Sequence, residues 1–323
     1  LRSEPVGYMD VKEMYPLDIE EFYHAVGMAD HVIAKLRQCW QDKEPVDEFV
    51  HRRLMQAFRL YLVIGGMPHA VQTYLDTNNL QDVLAVQKSI LQEYKRDIMK
   101  YKRDDSSQKL YIDEVFQLIP SELNAKNKRF ILKSLNEKAR FASYENSFLW
   151  LRDAGVALPT YNVEEPKLPL LLAKTRNLFK LFQSDVGLLT SQFADGIQLK
   201  LLGDNQAINY GAIYENVVAQ ELKAHGFDLY YYNSKRLGEL DFVVEYHGNV
   251  LPIEVKSGKD YERHNALSNV MSSAEYALSE ALVLCNGNVS VDGKVVYMPI
   301  YMLMFLEKEQ VVNVTYKLDL SDL

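Results

Sequence analysis

The stretch Gly238-Glu-Leu-Asp-Phe-Val-Val-Glu-Tyr-His-Gly-Asn-Val-Leu-Pro-Ile-Glu-Val-Lys-Ser-Gly258 decides how the C-terminal half folds. Two β-rich runs flank His247-Gly248-Asn249, a turn signal. A strand alternates faces at every residue, so Glu254 and Lys256 share one face while Ile253 and Val255 point into the core. Closing the hairpin about residues 247 and 248 sets Asp241 opposite Glu254, at a Cβ separation of roughly 4.5–5.5 Å. Two carboxylates and an ammonium then converge on one patch of an otherwise apolar sheet.

Such a patch needs a physical reason, because two close carboxylates repel and desolvating them costs several kcal/mol per ion. A hard divalent cation, Mg²⁺ or Mn²⁺, resolves the conflict: it is held by one or two carboxylates and keeps waters and substrate phosphate as its other ligands. Asp241 and Glu254 are the candidate metal ligands, and Lys256 is placed to stabilise developing negative charge. The chemistry implied is phosphodiester hydrolysis. The plainer reading is a solvated hairpin face with an ordinary ion pair, worth about 0–1 kcal/mol.

Composition sets the frame. A chain of 323 residues with 48% hydrophobic and 25% charged side chains has room for two or three modules and a buried core. No run of about 18 apolar residues occurs, so no membrane span is expected, and the cytoplasm is the default compartment. The start, Leu1-Arg-Ser-Glu-Pro-Val, has no apolar signal region and no initiator Met, which suggests a fragment or a chain with earlier residues not shown. Cys39 and Cys285 are too far apart for a zinc motif or a disulfide framework. The net charge of -8 falls wholly in residues 195–323, where 18 acidic side chains face 10 basic ones. That balance argues against a general nucleic-acid clamp there. The basic spot is residues 124–140, where Lys126, Lys128, Arg129, Lys133, Lys138 and Arg140 meet only Glu137.

Periodicity gives the organisation. Asp18 and Glu21 read as a capping box opening a first helix. Helices follow over 46–63 and 79–102, separated by Gly65-Gly66-Met67-Pro68, with Pro68 placed to begin another. Residues 108–163 carry helical patterns at Tyr111–Ile119, Asn127–Asn136 and Ser143–Ala154, then a β-like tail at Gly155–Val163. That is a winged-helix outline, with Lys126, Lys128, Arg129 and Lys133 as nucleic-acid-binding candidates at its second helix. The third helix, Tyr144–Asp153, is poor in residues that read bases or bind phosphate, so a winged helix used only for packing stands as the alternative. Further on, a short strand at 179–183, helices at 185–189 and 209–224, strands at 228–233, 237–246, 250–257, 281–285 and 294–301, and a helix at 263–278 give an α/β sandwich. The expected domains are a helical region at 1–104, a winged-helix-like domain at 105–165 and a sandwich at 166–323.

The ordered series Gly65-Gly-Met-Pro68, Asp97-Ile-Met-Lys-Tyr101, Ile119-Pro120, Asn127-Lys-Arg-Phe130, Trp150–Gly155, Asp185-Val-Gly-Leu-Leu189, Glu215-Asn216, Glu239-Leu-Asp-Phe242 and Pro252–Gly258 resembles a group of prokaryotic AAA-like ATPases. Those end in a domain of unknown function similar to PD-(D/E)xK nucleases. The resemblance covers nearly the whole chain. It implies a restriction-endonuclease-like sandwich in which Asp241 matches the first acid, Glu254 the second and Lys256 the lysine. Glu215 is the best match for an auxiliary helical glutamate, ahead of Glu221, and an exposed helical glutamate is its plainer reading. Leu240 stands where the motif's proline is usual. The family's P-loop is absent: the nearest string, Gly287-Asn-Val-Ser-Val-Asp-Gly-Lys-Val295, has the wrong spacing and reads as a hairpin turn. ATP chemistry would therefore belong to an upstream module. The leading expectation is a Mg²⁺-dependent nuclease-like domain acting on DNA. Its rival is an inactive nuclease fold that docks DNA or protein. A third reading makes the helical part an ATPase lid or a self-association element.

Overall fold

Strands β4 (Gly238–Tyr246) and β5 (Asn249–Val255) form the expected hairpin, with Phe242 opposite Ile253 and Tyr246 opposite Asn249. The computed structural model describes residues 12–100, 106–125, 130, 141–205 and 207–309. His247 and Gly248 both take positive φ, 48° and 69°, the mirror-image turn whose twist suits a two-residue loop. This short turn leaves the register no freedom to slip. Strand β3 (Tyr230–Ser234) pairs with the other edge of β4, but Tyr230 meets Val243 while Tyr232 meets Leu240. Asp241 and Phe242 therefore share one partner, Tyr231. A bulge of this kind bends the strand and re-aims a side chain, here Asp241.

Beyond the hairpin, β6 (Ala281–Cys285) runs parallel to β5, β8 (Val295–Pro299) parallel to β6, and β7 (Ser290–Asp292) closes that edge antiparallel to β8. The stretch around Gly287–Lys294 supplies the β7–β8 turn, as its spacing predicts. On the other side β1 (Ala157–Val163) lies parallel to β3, and β2 (Lys174–Gln183) is antiparallel to β1. The eight strands follow the order β2-β1-β3-β4-β5-β6-β8-β7.

The placement of β1 changes the reading of residues 105–165. The β-like tail expected at 155–163 is a strand, but its partners are β2 and β3 of the large sheet. The boundary expected at 165 thus falls between two strands hydrogen-bonded to each other. Of the three helical patterns, the first is longer than expected, as α6 (Ser106–Asn124), and the third is α7 (Phe141–Asp153). Apart from Phe130, the second, with Lys126, Lys128, Arg129 and Lys133, lies outside the described residues. The helix expected over 263–278 is shorter, as α11 (Asn265–Met271).

Both faces of the sheet are covered, which is why β5 and β6 are buried almost end to end. Helix α11 lies on one face over Leu240, Val243, Val250 and Val283. Helix α10 (Gly211–Ala224) lies on the other, over Phe182, Ile253 and Leu284, and is buried from Ala212 to Leu222. That second core continues without a break into the N-terminal helices α1 (Ile19–Ala25), α2 (Asp30–Asp42), α3 (Glu48–Ile64), α4 (Pro68–Thr77) and α5 (Leu80–Lys100). The Asp18–Glu21 capping box at α1 forms as read.

Glycines make the join between the helices and the sheet. A Cβ on Gly66 would stand 2.0 Å from Leu17 O, and one on Gly187 would stand 2.4 Å from Ile64 O. The backbones are in contact there, so only glycine fits. Asp185 caps α8 (Val186–Ser191), which precedes the short α9 (Ile197–Leu202), through the Leu188 N–H at 2.8 Å and also accepts the Gly66 N–H at 2.7 Å. Burial raises this carboxyl to about 6 despite those backbone donors. The Gly65-Gly66 corner and the Asp185-Val-Gly187 turn are thereby one structural unit.

Candidate functional site

Lys180 organises the acidic end of the hairpin. It follows Phe179 on β2, and its side chain is fully enclosed, at 0% exposure. Its Nζ lies 2.9 Å from Glu239 Oε1, 3.4 Å from Glu215 Oε2 and 3.9 Å from Asp241 Oδ1, with the Tyr231 ring centroid 5.0 Å away. Burial on its own drives a lysine towards the neutral form. The carboxylates of Glu215, Asp241 and Glu239 overcome that and hold the ammonium above the ordinary lysine range. Glu239 also accepts a hydrogen bond from Asn233 Nδ2.

The Glu254–Lys256 pair adjoins this group. Glu254 is 6% exposed, and its Oε1 lies 2.8 Å from Lys256 Nζ. Its second oxygen, Oε2, is buried and has no hydrogen-bond partner among the described residues. Burial, reinforced by repulsion from Asp241, pushes Glu254 up to about 8 against the pull of Lys256. Asp241 belongs to both groups: Oδ2 accepts the Val255 N–H at 2.9 Å, while Oδ1 faces Lys180. The bulge at Asp241 and the E-x-K spacing on β5 are the local features that bring this about.

The four residues singled out by sequence, Asp241, Glu254, Lys256 and Glu215, are therefore brought into one charged cluster. Glu239 is part of it as well. Lys180 was missed. It sits on a strand remote in sequence, and a lone lysine in Phe179-Lys-Leu-Phe182 carries no spacing signal. Among the described residues, no group of three or more His, Cys, Asp or Glu side chains is arranged to hold a metal ion. What remains is a two-carboxylate set, Asp241 and Glu254, with one unpartnered oxygen. This suits a hard cation that keeps most of its waters.

Glu221, two turns along α10, serves a different contact. Its oxygens accept the Ile19 N–H at 3.1 and 3.3 Å and the Tyr61 hydroxyl at 3.2 Å. His225 Nε2 lies 3.9 Å from Glu221 and 3.6 Å from Asp18. Burial raises Glu221 to about 8, opposed by His225. Burial alone would lower His225, but Asp18 and Glu221 together raise it to about 9. Glu221 thus pins α1 to α10.

Residues 55–198 match a domain of unknown function (DUF8612). Residues 210–303 match a second domain of unknown function (DUF4143), one commonly found after AAA-type ATPase modules. The first match runs across both expected domain boundaries and contains Lys180, and the second holds Glu215, Asp241, Glu254 and Lys256. No curated protein matches the chain, and no solved structure does. The described residues contain no helix long and apolar enough to cross a membrane.

Proposed function

We propose that the C-terminal module is a nuclease-like unit of the PD-(D/E)xK kind that hydrolyses a phosphodiester in DNA with the help of one divalent cation. The observation that carries the reading is the unpartnered, buried Glu254 Oε2 beside Asp241, two residues before Lys256. The element order supports it as well: a helix (α10), an antiparallel meander (β3, β4, β5), a second helix (α11) and a strand returning parallel to the third.

In this reading Asp241 and Glu254 hold Mg²⁺ or Mn²⁺. When bound, the cation supplies Lewis-acid polarisation of a phosphoryl oxygen and lowers the pKa of a coordinated water. Lys256, the more exposed partner of its pair, places a positive charge where negative charge builds up in the transition state. Glu215 is engaged with Lys180, so its role is to fix that ammonium beside Asp241 rather than to act as an auxiliary ligand or base. The common occurrence of DUF4143 after AAA-type modules supports placing this unit under the control of an ATPase on the same polypeptide.

The test is incubation with Mg²⁺ or Mn²⁺ and linear, branched and single-stranded DNA. Cleavage is expected, and Asp241→Asn and Lys256→Met should each abolish it with an unchanged circular dichroism spectrum. Absence of cleavage on every substrate, together with no calorimetric Mn²⁺ binding, refutes the reading. A second reading, a nuclease fold retained for docking DNA or protein, is favoured by one observation: Lys180 already meets three of the four carboxylates.

A further inference from the structure

We propose that Lys180 is a resident cation, its ammonium standing where a second divalent ion would otherwise bind, so that the centre accepts one divalent ion and no more. The inference rests on the nuclease-like reading of Asp241 and Glu254, and it assigns their neighbours Glu215 and Glu239 to Lys180.

Charge and burial carry the argument. The cluster holds four carboxylates, Glu215, Glu239, Asp241 and Glu254, and two ammonium groups, Lys180 and Lys256. Once a cation displaces the proton from Glu254 and every group is ionised, the cluster carries two negative charges, and one divalent ion cancels them. A second such ion would leave the same excess of positive charge in a site whose central side chain is fully enclosed. Uncompensated charge of that kind costs several kcal/mol per ion. Geometry points the same way. Three carboxylate oxygens lie 2.9, 3.4 and 3.9 Å from Lys180 Nζ, so the oxygens that a second ion would need already surround an ammonium. The Tyr231 ring, 5.0 Å from the Nζ, adds a cation-favouring surface to the same pocket. The carboxylate oxygen without a partner is on Glu254, the one acid of the four that forms no ion pair with Lys180, and it marks the position left for the single ion.

Lys180 comes from β2, at the sheet edge, whereas the other five residues lie on α10, β4 and β5 or immediately after β5. It touches neither substrate nor reacting atoms in this scheme. It is a positioning residue, and its effect is read in metal stoichiometry rather than in activity.

The experiment titrates Mn²⁺ into the full chain by calorimetry and by electron paramagnetic resonance, for the native protein, Asp241→Asn and Lys180→Met. The native protein should bind one ion and Asp241→Asn none. Lys180→Met should bind two, and Mn²⁺ at about a hundred times its dissociation constant should raise its thermal midpoint by roughly 5–10 °C. Should Lys180→Met be unfolded without metal, Mn²⁺ should restore its circular dichroism spectrum and EDTA should abolish it. Two ions on the native protein would overturn the role of Lys180 and leave the nuclease-like reading standing. No ion on the native protein would remove that reading itself. A Lys180→Met protein that still binds one ion, or that stays unfolded in Mn²⁺, also overturns the proposal.

Discussion

Replacing Glu221 with Gln should stabilise the protein relative to the native chain by an amount that grows between pH 7 and pH 9. Glu221 is fully buried, and its carboxyl is raised to about 8, so at pH 7 it carries a proton. Gln is a close neutral mimic that still accepts from the Ile19 N–H and the Tyr61 hydroxyl. The sign follows from linkage. A group whose folded pKa exceeds its unfolded value stabilises fully below the unfolded value, and that contribution drains away as pH rises through the folded one. Glu221 moves from 4.5 to about 8 and His225 from 6.5 to about 9, so both lose stabilisation between pH 7 and 9. Asp18, lowered despite its burial by hydrogen bonds from His225 and the Glu21 backbone, loses its contribution only in acid. At about 1.4 kcal/mol per pKa unit, the two rising groups together cost roughly 2–4 kcal/mol between pH 7 and 9. Glu221→Gln removes one of them and weakens the other, cutting the loss by about half. Urea denaturation at pH 7, 8 and 9 measures this directly. Equal destabilisation of the variant at all three values, or a native protein of constant stability over that range, would refute the reasoning.

Two further expectations can be checked with little effort. Gly66→Ala forces a Cβ to within 2.0 Å of Leu17 O, so the corner must open; a loss of about 3 kcal/mol or more is expected in the same denaturation assay. Neutralising Lys126, Lys128 and Arg129 together should weaken DNA affinity and reduce the slope of log affinity against log salt by up to about 0.9 for each phosphate no longer neutralised; an unchanged slope would remove that segment from any DNA interface.

The hairpin was legible because its signals are local. Period-2 alternation marks β4 and β5, and the two-residue turn at His247-Gly248 admits one register. From that register the meeting of Asp241 and Glu254 follows by counting. The bulge at Asp241 was not legible, because it depends on how β3, a separate strand, aligns with β4. Lys180 lay further out of reach: its partners come from α10 and β4, and only the tertiary fold brings an edge strand to them. The winged-helix outline rested on a weaker signal. Its tail, Ala157–Val163, has clear strand character, but strand character does not name a partner, and the partners are β2 and β3. Glu215 and Glu221 are six residues apart on one buried helix, and helical periodicity alone did not show that one faces the sheet's charges and the other the N-terminal helices.

The glycine corner also bears on the charged cluster. Asp185, gripped by Gly66, stands five residues after Lys180, and most of the intervening chain is extended strand. At about 3.3 Å per residue that is a span of roughly 16 Å at most. The Gly65-Gly66 corner therefore has a short covalent route, through the end of β2, to the buried ammonium.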